Sequence, residues 1–310
     1  MQYCFGIDVG GTSIKMGLFK ADGELVDKWE IKTRTENEGE AIIPDIAKSI
    51  KSKLLQREID NKEVIGIGMG IPAPVNNLGI VQDTANLGWG YKEVRREMEE
   101  ITGFSTSVGN DANVAALGEM WKGGGMGHQN MIMVTLGTGV GGGIISDGKV
   151  LTGATGAGGE IGHLTVREEE EEACGCGRKG CLEEYASATG IARLAKRRLA
   201  RDEKASSLRN STINAKTVFD AVKQGDEVAK EIATEFGEYL GKALTNIAVL
   251  VDPSIVVIGG GVSKAGEILF DYIEPPFRKK AFFANKDMEF ALAKLGNDAG
   301  IYGAAKLLID

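Results

Sequence analysis

Several features are scarce in this sequence, and each scarcity excludes a class of protein. No apolar run approaches the ~18 residues needed to span a bilayer, so a membrane protein is not expected. The first residues, Met1 to Cys4, lack the basic segment and apolar stretch of a secretion signal, so we expect a cytoplasmic protein. Basic residues are outnumbered 44 to 36 by acidic ones, and a net charge of −8 repels phosphate backbones, which argues against general nucleic-acid binding.

The composition that remains is typical of a soluble globular protein. With 310 residues, 43% of them hydrophobic and 26% charged, the chain is long enough for two domains that each bury a core. Glycine is abundant: it accounts for 44 of the 310 residues, which is about twice the average share of roughly 7%. The glycines cluster after apolar runs, where a backbone turns tightly or approaches a ligand. This clustering is the first indication of phosphate chemistry.

Strands alternate with helices along the chain, which indicates an α/β fold. The pattern predicts strands over Tyr3–Ile7, Ile14–Phe19, Val64–Ile71, Met131–Leu136, Gly143–Ile145 and Ile255–Ile258. It predicts helices over Ile42–Ile59, Tyr91–Thr102, Ala112–Trp121, Leu182–Glu203, Ala215–Gln224, Glu227–Val251 and Ala299–Leu308.

One pattern, of strand, glycine turn, strand and hairpin turn, occurs twice. The first copy contains Gly10-Gly11-Thr12 and Asp22-Gly23, and the second contains Gly137-Thr138-Gly139 and Asp147-Gly148. Duplicated α/β domains that face each other across a ligand-binding cleft would produce this pattern. The chain changes character near Gly123, so we predict a small N-terminal domain over residues 1–120 and a large C-terminal domain over 121–297.

The first glycine turn is a candidate phosphate site. Asp8 ends an apolar strand and is followed by Gly10, Gly11 and Thr12. Glycine lets backbone N–H groups approach phosphate oxygens, threonine adds a hydroxyl donor, and Asp8 could hold Mg²⁺ through water. A hairpin turn that happens to carry an acidic residue is the alternative interpretation.

Two later glycine clusters also follow strands. The segment Gly137–Gly143, with Thr138 and Gly139, lacks the lysine of a P-loop and the helix of a dinucleotide-binding motif, so a second phosphate-binding hairpin fits best. The third cluster contains Gly260 and Gly261 and could form the floor of a nucleotide-base pocket. It could equally be a glycine turn between a strand and a helix.

Asp111 is a candidate general base. It opens a predicted helix within Asn110-Asp111-Ala112-Asn113, where an aspartate is a natural N-cap. A carboxylate in this place could also accept the proton of a substrate hydroxyl during phosphoryl transfer. The other motifs of the chain favour the second interpretation.

The cysteines and histidines form the strongest signal. His163, Cys174, Cys176 and Cys181 supply one imidazole and three thiols within a short segment. A Cys₃His set is complete for a closed, tetrahedral structural Zn²⁺ site, and the expected cytoplasmic context and the odd local count of three cysteines argue against a disulfide. The sequence therefore predicts a zinc site that shapes the surrounding loops.

Carboxylates flank the predicted zinc loop. Glu160 and Glu183 are candidates for recognising sugar hydroxyls, because carboxylates of fixed geometry suit that task. The acidic run Glu168–Glu172 is interpreted as a solvated loop, and the basic run Lys196–Arg198 as a solvated helix face.

Together these motifs resemble the ROK family of repressors, uncharacterised reading frames and sugar kinases, and within it the bacterial glucokinases. The resemblance extends over essentially the whole chain. The segments that carry it are Asp8–Thr12, Gly70–Pro72, Asn86–Trp89, Gly109–Asn113, Leu136–Gly143, Gly159–His163, the three-cysteine loop with Glu183, and Gly259–Gly261.

The resemblance implies a two-domain actin/hexokinase-like (ribonuclease H-like) fold with an active-site cleft between the domains, and with the C-terminal segment 298–310 packed on the N-terminal domain. It implies ATP-dependent phosphorylation of glucose at the 6-hydroxyl with Asp111 as the base, using Mg²⁺ and structural Zn²⁺, in a homodimer or homotetramer. The sugar contacts would be Asn86, Asn110, Asp111, Glu160, His163 and Glu183. The phosphate and Mg²⁺ site would contain Asp8, Gly10, Gly11, Thr12, Thr138 and Gly139, with Gly260 and Gly261 beside the adenosine.

Two alternatives belong to the same family. A kinase for another sugar, such as N-acetylmannosamine, N-acetylglucosamine, allose or fructose, would share most of these contacts. A sugar-sensing repressor carries a helix-turn-helix segment ahead of the sugar domain, and we expect none here because the phosphate motif begins at Asp8. An acidic net charge also argues against DNA binding.

Overall fold

The computed structural model describes residues 1–309, which divide into two compact units. Unit 1 consists of Met1–Gly127, Gly143–Gly159 and Lys294–Asp310, and unit 2 consists of His128–Gly142 and Glu160–Ala293. The last residue of the predicted segment 298–310 lies outside the described residues. The predicted domain boundary after residue 120 stays a prediction.

The strands and helices alternate as the sequence pattern indicates. The strands are β1 (Tyr3–Val9), β2 (Ser13–Lys20), β3 (Leu25–Lys32), β4 (Val64–Ile71), β5 (Ile80–Val81), β6 (Lys92–Glu93), β7 (Thr106–Asn110), β8 (Met131–Leu136), β9 (Val140–Ser146), β10 (Lys149–Val150), β11 (Ile255–Gly259) and β12 (Glu289–Leu292). The α-helices are α1 (Ile42–Arg57), α2 (Val94–Thr102), α3 (Asp111–Lys122), α4 (Glu183–Ala186), α5 (Ala188–Leu199), α6 (Ala215–Lys223), α7 (Glu227–Val251), α8 (Phe270–Lys280) and α9 (Ala299–Lys306).

Two sheets with the same strand order form the framework. The first has the order β3-β2-β1-β4-β7 and the second the order β10-β9-β8-β11-β12. In the first, β1 to β3 are antiparallel neighbours, whereas β1, β4 and β7 run parallel. In the second, β8, β11 and β12 run parallel. The repeated glycine-turn pattern in the sequence thus corresponds to β1–β2 and β8–β9, which hold equivalent positions in their sheets.

The C-terminal helix α9 packs within unit 1 through glycines. A Cβ on Gly6 of β1 would lie 2.0 Å from the carbonyl oxygen of Ile301, and one on Gly68 of β4 would lie 1.8 Å from that of Ala304. Side chains are therefore excluded where the helix crosses the strands. Cys4 is fully buried beside this helix, so it is a core residue.

Two interpretations of charged runs are wrong in part. Glu170, inside the acidic run, is buried, and both of its carboxylate oxygens accept hydrogen bonds from Arg197 at 2.9 and 3.1 Å. The hydroxyl of Tyr185 also donates to Glu170. Arg198 is 6% exposed and pairs with Glu231. Each run thus buries one charged residue, which is paired with an oppositely charged residue on another part of the chain.

None of the helices in the described residues is both long and apolar enough to cross a membrane.

Candidate active site

The predicted site residues of unit 1 meet at one edge of the first sheet. In the parallel register, Asp8 lies opposite Gly70, and Gly70 lies opposite Gly109. The carboxyl ends of β1, β4 and β7 therefore come together, and ligands of α/β sheets bind beyond such ends. This edge carries the Gly10 turn and the start of α3, with the Cα of Asp111 3.5 Å from the place of a Cβ on Gly70.

The Gly10–Thr12 turn is held by hydrogen bonds to its own backbone. The N–H of Gly10 donates to the carbonyl of Ser13 at 3.0 Å. Thr33 donates through its hydroxyl to the carbonyl of Gly10 at 2.6 Å and through its N–H to that of Thr12 at 3.0 Å. A Cβ on Gly11 would lie 3.1 Å from the Cβ of Asn86, so the predicted sugar residue Asn86 lies against this turn.

Asp8 lies beneath the turn in a confined place. Burial raises the pKa of its carboxyl, and the neighbouring Lys15 opposes this effect with its Nζ 3.8 Å from Oδ2. A Cβ on Gly300 of α9 would lie 2.6 Å from Cγ of Asp8. The absence of a side chain at Gly300 therefore leaves room for this carboxylate.

Asn110, and not Asp111, is the N-cap of α3. The Asn110 side chain accepts a hydrogen bond from the N–H of Asn113 at 3.1 Å and donates to the carbonyl of Ala73 at 3.2 Å. Asp111 is the first residue of the helix, and its Oδ1 accepts a hydrogen bond from the N–H of Ala112 at 2.8 Å. The capping role proposed for Asp111 on sequence grounds is wrong, because the residue before it already fills that role.

The glycine loops of unit 2 also meet at the end of parallel strands. Gly259 of β11 lies opposite Thr135 of β8, so the loops that follow both strands are neighbours. Gly260 has a φ of +82° and would place a Cβ 2.5 Å from the carbonyl oxygen of Leu136. Only glycine fits this conformation and this approach.

Glu183 lies over the Gly137–Gly139 loop. Its Oε2 accepts a hydrogen bond from the N–H of Val140 at 2.9 Å, and a Cβ on Gly139 would lie 2.0 Å from that oxygen. The carbonyl of Thr138 accepts a hydrogen bond from the Thr189 hydroxyl at 2.7 Å. The start of α5 thus fixes the loop, and Glu183 connects the loop to the cysteines, with Oε1 3.7 Å from Sγ of Cys174.

A cavity of about 320 Å³ lies beside Gly261 in unit 2 and is large enough for a small organic group. Its lining is mostly apolar and contains Phe219, Val262 and Ala265, with Asn214, Lys216 and Asp220 as polar members. The sequence suggested a pocket at Gly260 and Gly261, but it did not reveal the residues of α6 that line the cavity together with the loop after β11.

The predicted zinc ligands converge. The ligand atoms of His163, Cys174, Cys176 and Cys181 all lie within 4.8 Å of one another. Sγ of Cys176 and Sγ of Cys181 are 3.7 Å apart, and Nδ1 of His163 is 3.9 Å from Sγ of Cys174. A tetrahedral Zn²⁺ with Zn–S bonds of about 2.3 Å places sulfur atoms about 3.8 Å apart, so the group is compatible with zinc.

The thiols of this group differ in their acidity. Burial raises the pKa of Cys174 to about 12 and also raises that of Cys181. A hydrogen bond from the backbone of Arg178 lowers the pKa of the exposed Cys176. Two of the three thiols therefore need a strong counter-charge to ionise, and a divalent cation supplies one.

The two ring nitrogens of His163 face different groups. Nδ1 faces the cysteines, whereas Nε2 lies 4.0 Å from Oε2 of Glu160. The side chains of both residues are partly exposed. Nε2 and the Glu160 carboxylate are thus available to a ligand while Nδ1 faces the cysteines.

Sequence reasoning missed two residues that position this machinery. Thr33 fixes the Gly10–Thr12 turn, and a threonine after a strand gives no such signal. Asn113 is buried, and its Nδ2 donates to the carbonyl of Gly158 at 3.2 Å, just before Glu160. Its spacing after Asn110 could have indicated a role in the first turn of α3.

Comparison with known proteins identifies the family. The model of the ROK family matches residues 4–310. The chain belongs to the ROK family. A ROK relative in Halalkalibacterium halodurans named glucokinase is 44% identical over 99% of this chain and 95% of its own length. The predicted resemblance is confirmed.

Other members show the range of the ROK family. The crystal structure of a ROK family glucokinase from Streptomyces griseus, in complex with glucose and AMPPNP, has a TM-score of 0.73, is 34% identical and covers 99% of both chains. An N-acetylmannosamine kinase of Escherichia fergusonii is 32% identical over 97% of this chain and 96% of its own. The similarity to the solved glucokinase structure confirms the two-domain actin/hexokinase-like fold class.

Proposed function

We propose that this chain is an ATP-dependent glucokinase that transfers the γ-phosphoryl group of ATP to the 6-hydroxyl of glucose. The observation that carries the proposal is the position of Asp111 and of the Gly10–Thr12 turn at the same edge of the first sheet. This arrangement occurs in a chain that is 44% identical, over its whole length, to a glucokinase. A phosphate-binding turn beside a carboxylate is what phosphoryl transfer to a hydroxyl requires.

Asp111 acts as the general base in this proposal. Its carboxylate accepts the proton of the sugar 6-hydroxyl while that oxygen attacks the γ-phosphorus. The bond between the γ-phosphorus and the bridging oxygen breaks, and ADP leaves with the electron pair. The position of Asp111 at the first residue of α3 fixes its backbone, and the hydrogen bond from Ala112 orients the carboxylate.

The remaining predicted residues bind the sugar. Asn86 and Asn110 lie at the same edge of unit 1 as Asp111, and Glu160, His163 and Glu183 lie together in unit 2. Carboxylates, amides and an imidazole offer both acceptors and donors to a ring of hydroxyls. In our proposal Nε2 of His163 contacts the sugar while Nδ1 holds zinc.

The glycine loops would bind ATP, the phosphoryl donor. Backbone N–H groups at Gly11 and Gly139 and the hydroxyls of Thr12 and Thr138 would bind phosphate oxygens, while Gly10 shapes the turn through its N–H bond to Ser13. Gly260 and Gly261, with the cavity beside them, would hold the adenosine. Mg²⁺, when bound near Asp8, would neutralise charge on the transferring phosphoryl group.

Zinc has a structural role in this proposal. Cys174, Cys176, Cys181 and His163 would hold the ion with three thiolates and one imidazole, a set that would leave no open position for catalysis. The ion would hold His163 and the loop around Cys174–Cys181 in one conformation. Reduced thiolates and ATP are both available in the cytoplasm, where we infer that the enzyme acts.

The oligomeric state follows only from the family resemblance, which favours a homodimer or homotetramer. Size-exclusion chromatography with light scattering distinguishes these two states and a monomer.

A kinase for another sugar is the second candidate, because an N-acetylmannosamine kinase is 32% identical over nearly the whole chain. The test is ATP-coupled turnover on glucose, mannose, fructose, allose, N-acetylglucosamine and N-acetylmannosamine. We expect the highest kcat/KM on glucose. A clear preference for another sugar would replace glucose as the assigned substrate and leave the kinase assignment in place. No turnover on any sugar by zinc-loaded protein would refute the kinase assignment.

A further inference from the structure

Glu119 is a buried carboxylate outside the proposed site. It lies in the last part of α3, its side chain is fully buried, and its charge is met by backbone N–H groups. Oε2 accepts hydrogen bonds from the N–H of Gly124 at 2.7 Å and of Lys294 at 2.9 Å, and Oε1 accepts one from Leu295 at 2.8 Å. Backbone donors to a buried carboxylate are strong and directional.

The residues that Glu119 holds lie beside two of the places where the chain passes between the units. The chain leaves unit 1 after Gly127 and returns to it at Lys294. Gly124 lies three residues before the first crossing, and Lys294 is the first residue after the second. One carboxylate thus fixes the backbone near both crossings.

The fit around Glu119 leaves little freedom. A Cβ on Gly123 would lie 2.0 Å from Oε2 of Glu119, so the backbone there touches the carboxylate. The carbonyl of Glu119 also accepts hydrogen bonds from the N–H groups of Gly123 and Gly125, each at 3.0 Å. The glycine segment that follows α3 is therefore wrapped around this residue.

The same helix carries the proposed base. Asp111 is the first residue of α3 and Glu119 follows eight residues later, about 12 Å along the helix axis. Leu295 leads into α9, whose Gly300 lies against Asp8. Glu119 thus connects both crossings to the two elements that position Asp111 and Asp8.

We propose that Glu119 is a positioning residue for phosphoryl transfer. Its carboxylate holds the backbone at Gly124, Lys294 and Leu295 against the end of α3, and so keeps α3 and α9 of unit 1 in one fixed arrangement. This proposal rests on the proposed kinase function. It predicts that loosening the carboxylate slows turnover without unfolding the chain.

The test compares Glu119→Gln with a matched control, Glu99→Gln. The amide of the first variant can accept at one atom only and turns an N–H group toward a backbone donor. Glu99 on α2 accepts a hydrogen bond from the N–H of Thr106 at 2.9 Å, also within unit 1 but away from the crossings. Its replacement makes the same chemical change at a single backbone contact.

The first readout is hydrogen exchange in protein without substrates, on peptides covering 120–127 and 290–297. We expect exchange at least about tenfold faster in both peptides for Glu119→Gln and unchanged for Glu99→Gln. Unchanged exchange in Glu119→Gln would overturn the proposal. This readout does not depend on activity, so it remains decisive even if glucose turnover fails in the wild type.

The second readout is kcat on glucose at a temperature far below the Tm of every variant. A displacement of about 1 Å far from the chemistry can lower a rate about 100-fold, so we expect a fall of about 10- to 100-fold in Glu119→Gln. A merely structural role would lower Tm and leave kcat per folded molecule at the value of Glu99→Gln. That result would overturn the positioning role.

Discussion

Replacing Cys176 by serine tests the proposed zinc site with little other disturbance. Cys176 is exposed, so the substitution creates no cavity in a core. Its Sγ lies 3.7 Å from that of Cys181, close to the separation of about 3.8 Å expected across a tetrahedral zinc. Serine removes one of the three thiolates and leaves an incomplete set, so the ion should be lost.

The size of the effect follows from linkage between binding and folding. Free zinc at about 1,000 times the dissociation constant of the site stabilises the folded chain by about 4 kcal/mol. With about 2–4 °C of Tm per kcal/mol in a chain of this size, losing the ion should lower Tm by roughly 8–16 °C. The sugar KM should rise as well, because His163 and Glu183 both adjoin the cysteines.

The assay measures zinc content by mass spectrometry, Tm by differential scanning calorimetry, and KM for glucose. Cys4→Ser is the control, because Cys4 is buried in the core of unit 1 and far from the zinc group in sequence. It should lose stability but retain one zinc per chain. Wild-type protein that holds no zinc, or Cys176→Ser protein that keeps both its zinc and its KM, would refute the reasoning.

Two further predictions concern residues near the site. Hydrogen bonds from Arg197 hold the pKa of Glu170 well below its usual range. The ionised carboxylate therefore stabilises the fold fully above the unfolded pKa of about 4.3. This stabilisation is lost as pH falls from there toward the lower pKa of the folded state. Glu170→Gln should therefore cost about 3–5 kcal/mol at pH 7, and the difference from wild type should shrink below pH of about 4.3, measured by urea unfolding. Gly300→Ala would place a Cβ 2.6 Å from Cγ of Asp8 and should lower kcat/KM for ATP about tenfold or more.

A specific result would contradict each of these two predictions. A cost for Glu170→Gln that stays constant from pH 7 to pH 3 would show that charge is not involved. For Gly300→Ala the control is Gly90→Ala, since Gly90 has open space around its Cα. Equal activity of the two alanine variants would mean that Asp8 does not need its present position.

The sequence predicts the interior of the fold well, because buried strands and long helices have a strong periodic signal. The strands Val64–Ile71 and Met131–Leu136 and the helix Glu227–Val251 agree with the prediction at both ends. The predicted helix Leu182–Glu203 is instead divided at Ser187, whose side chain caps α5 by accepting from the N–H of Gly190. A serine within a helical pattern does not reveal this capping role.

Other elements were missed because their signal is weak or misleading. Helix α8 contains Pro275 and Pro276, which argue against a helix when the sequence is considered alone. Strand β12 is only four residues long. The motif residues were found because glycine, cysteine and aspartate leave a pattern in sequence. Thr33 and Glu119 were not, since their partners lie on other elements and only the folded chain brings them together.

The central claim is that this chain phosphorylates glucose with Asp111 as the base, and glucose 6-phosphate formation by wild type and Asp111→Asn tests it most directly. Asparagine keeps the shape of the side chain but cannot accept the proton. The account predicts rapid ATP-dependent product formation by the wild type and a loss of about 100-fold or more in the variant, with Tm unchanged. A near-normal rate in Asp111→Asn, or no glucose 6-phosphate from the wild type, would contradict it.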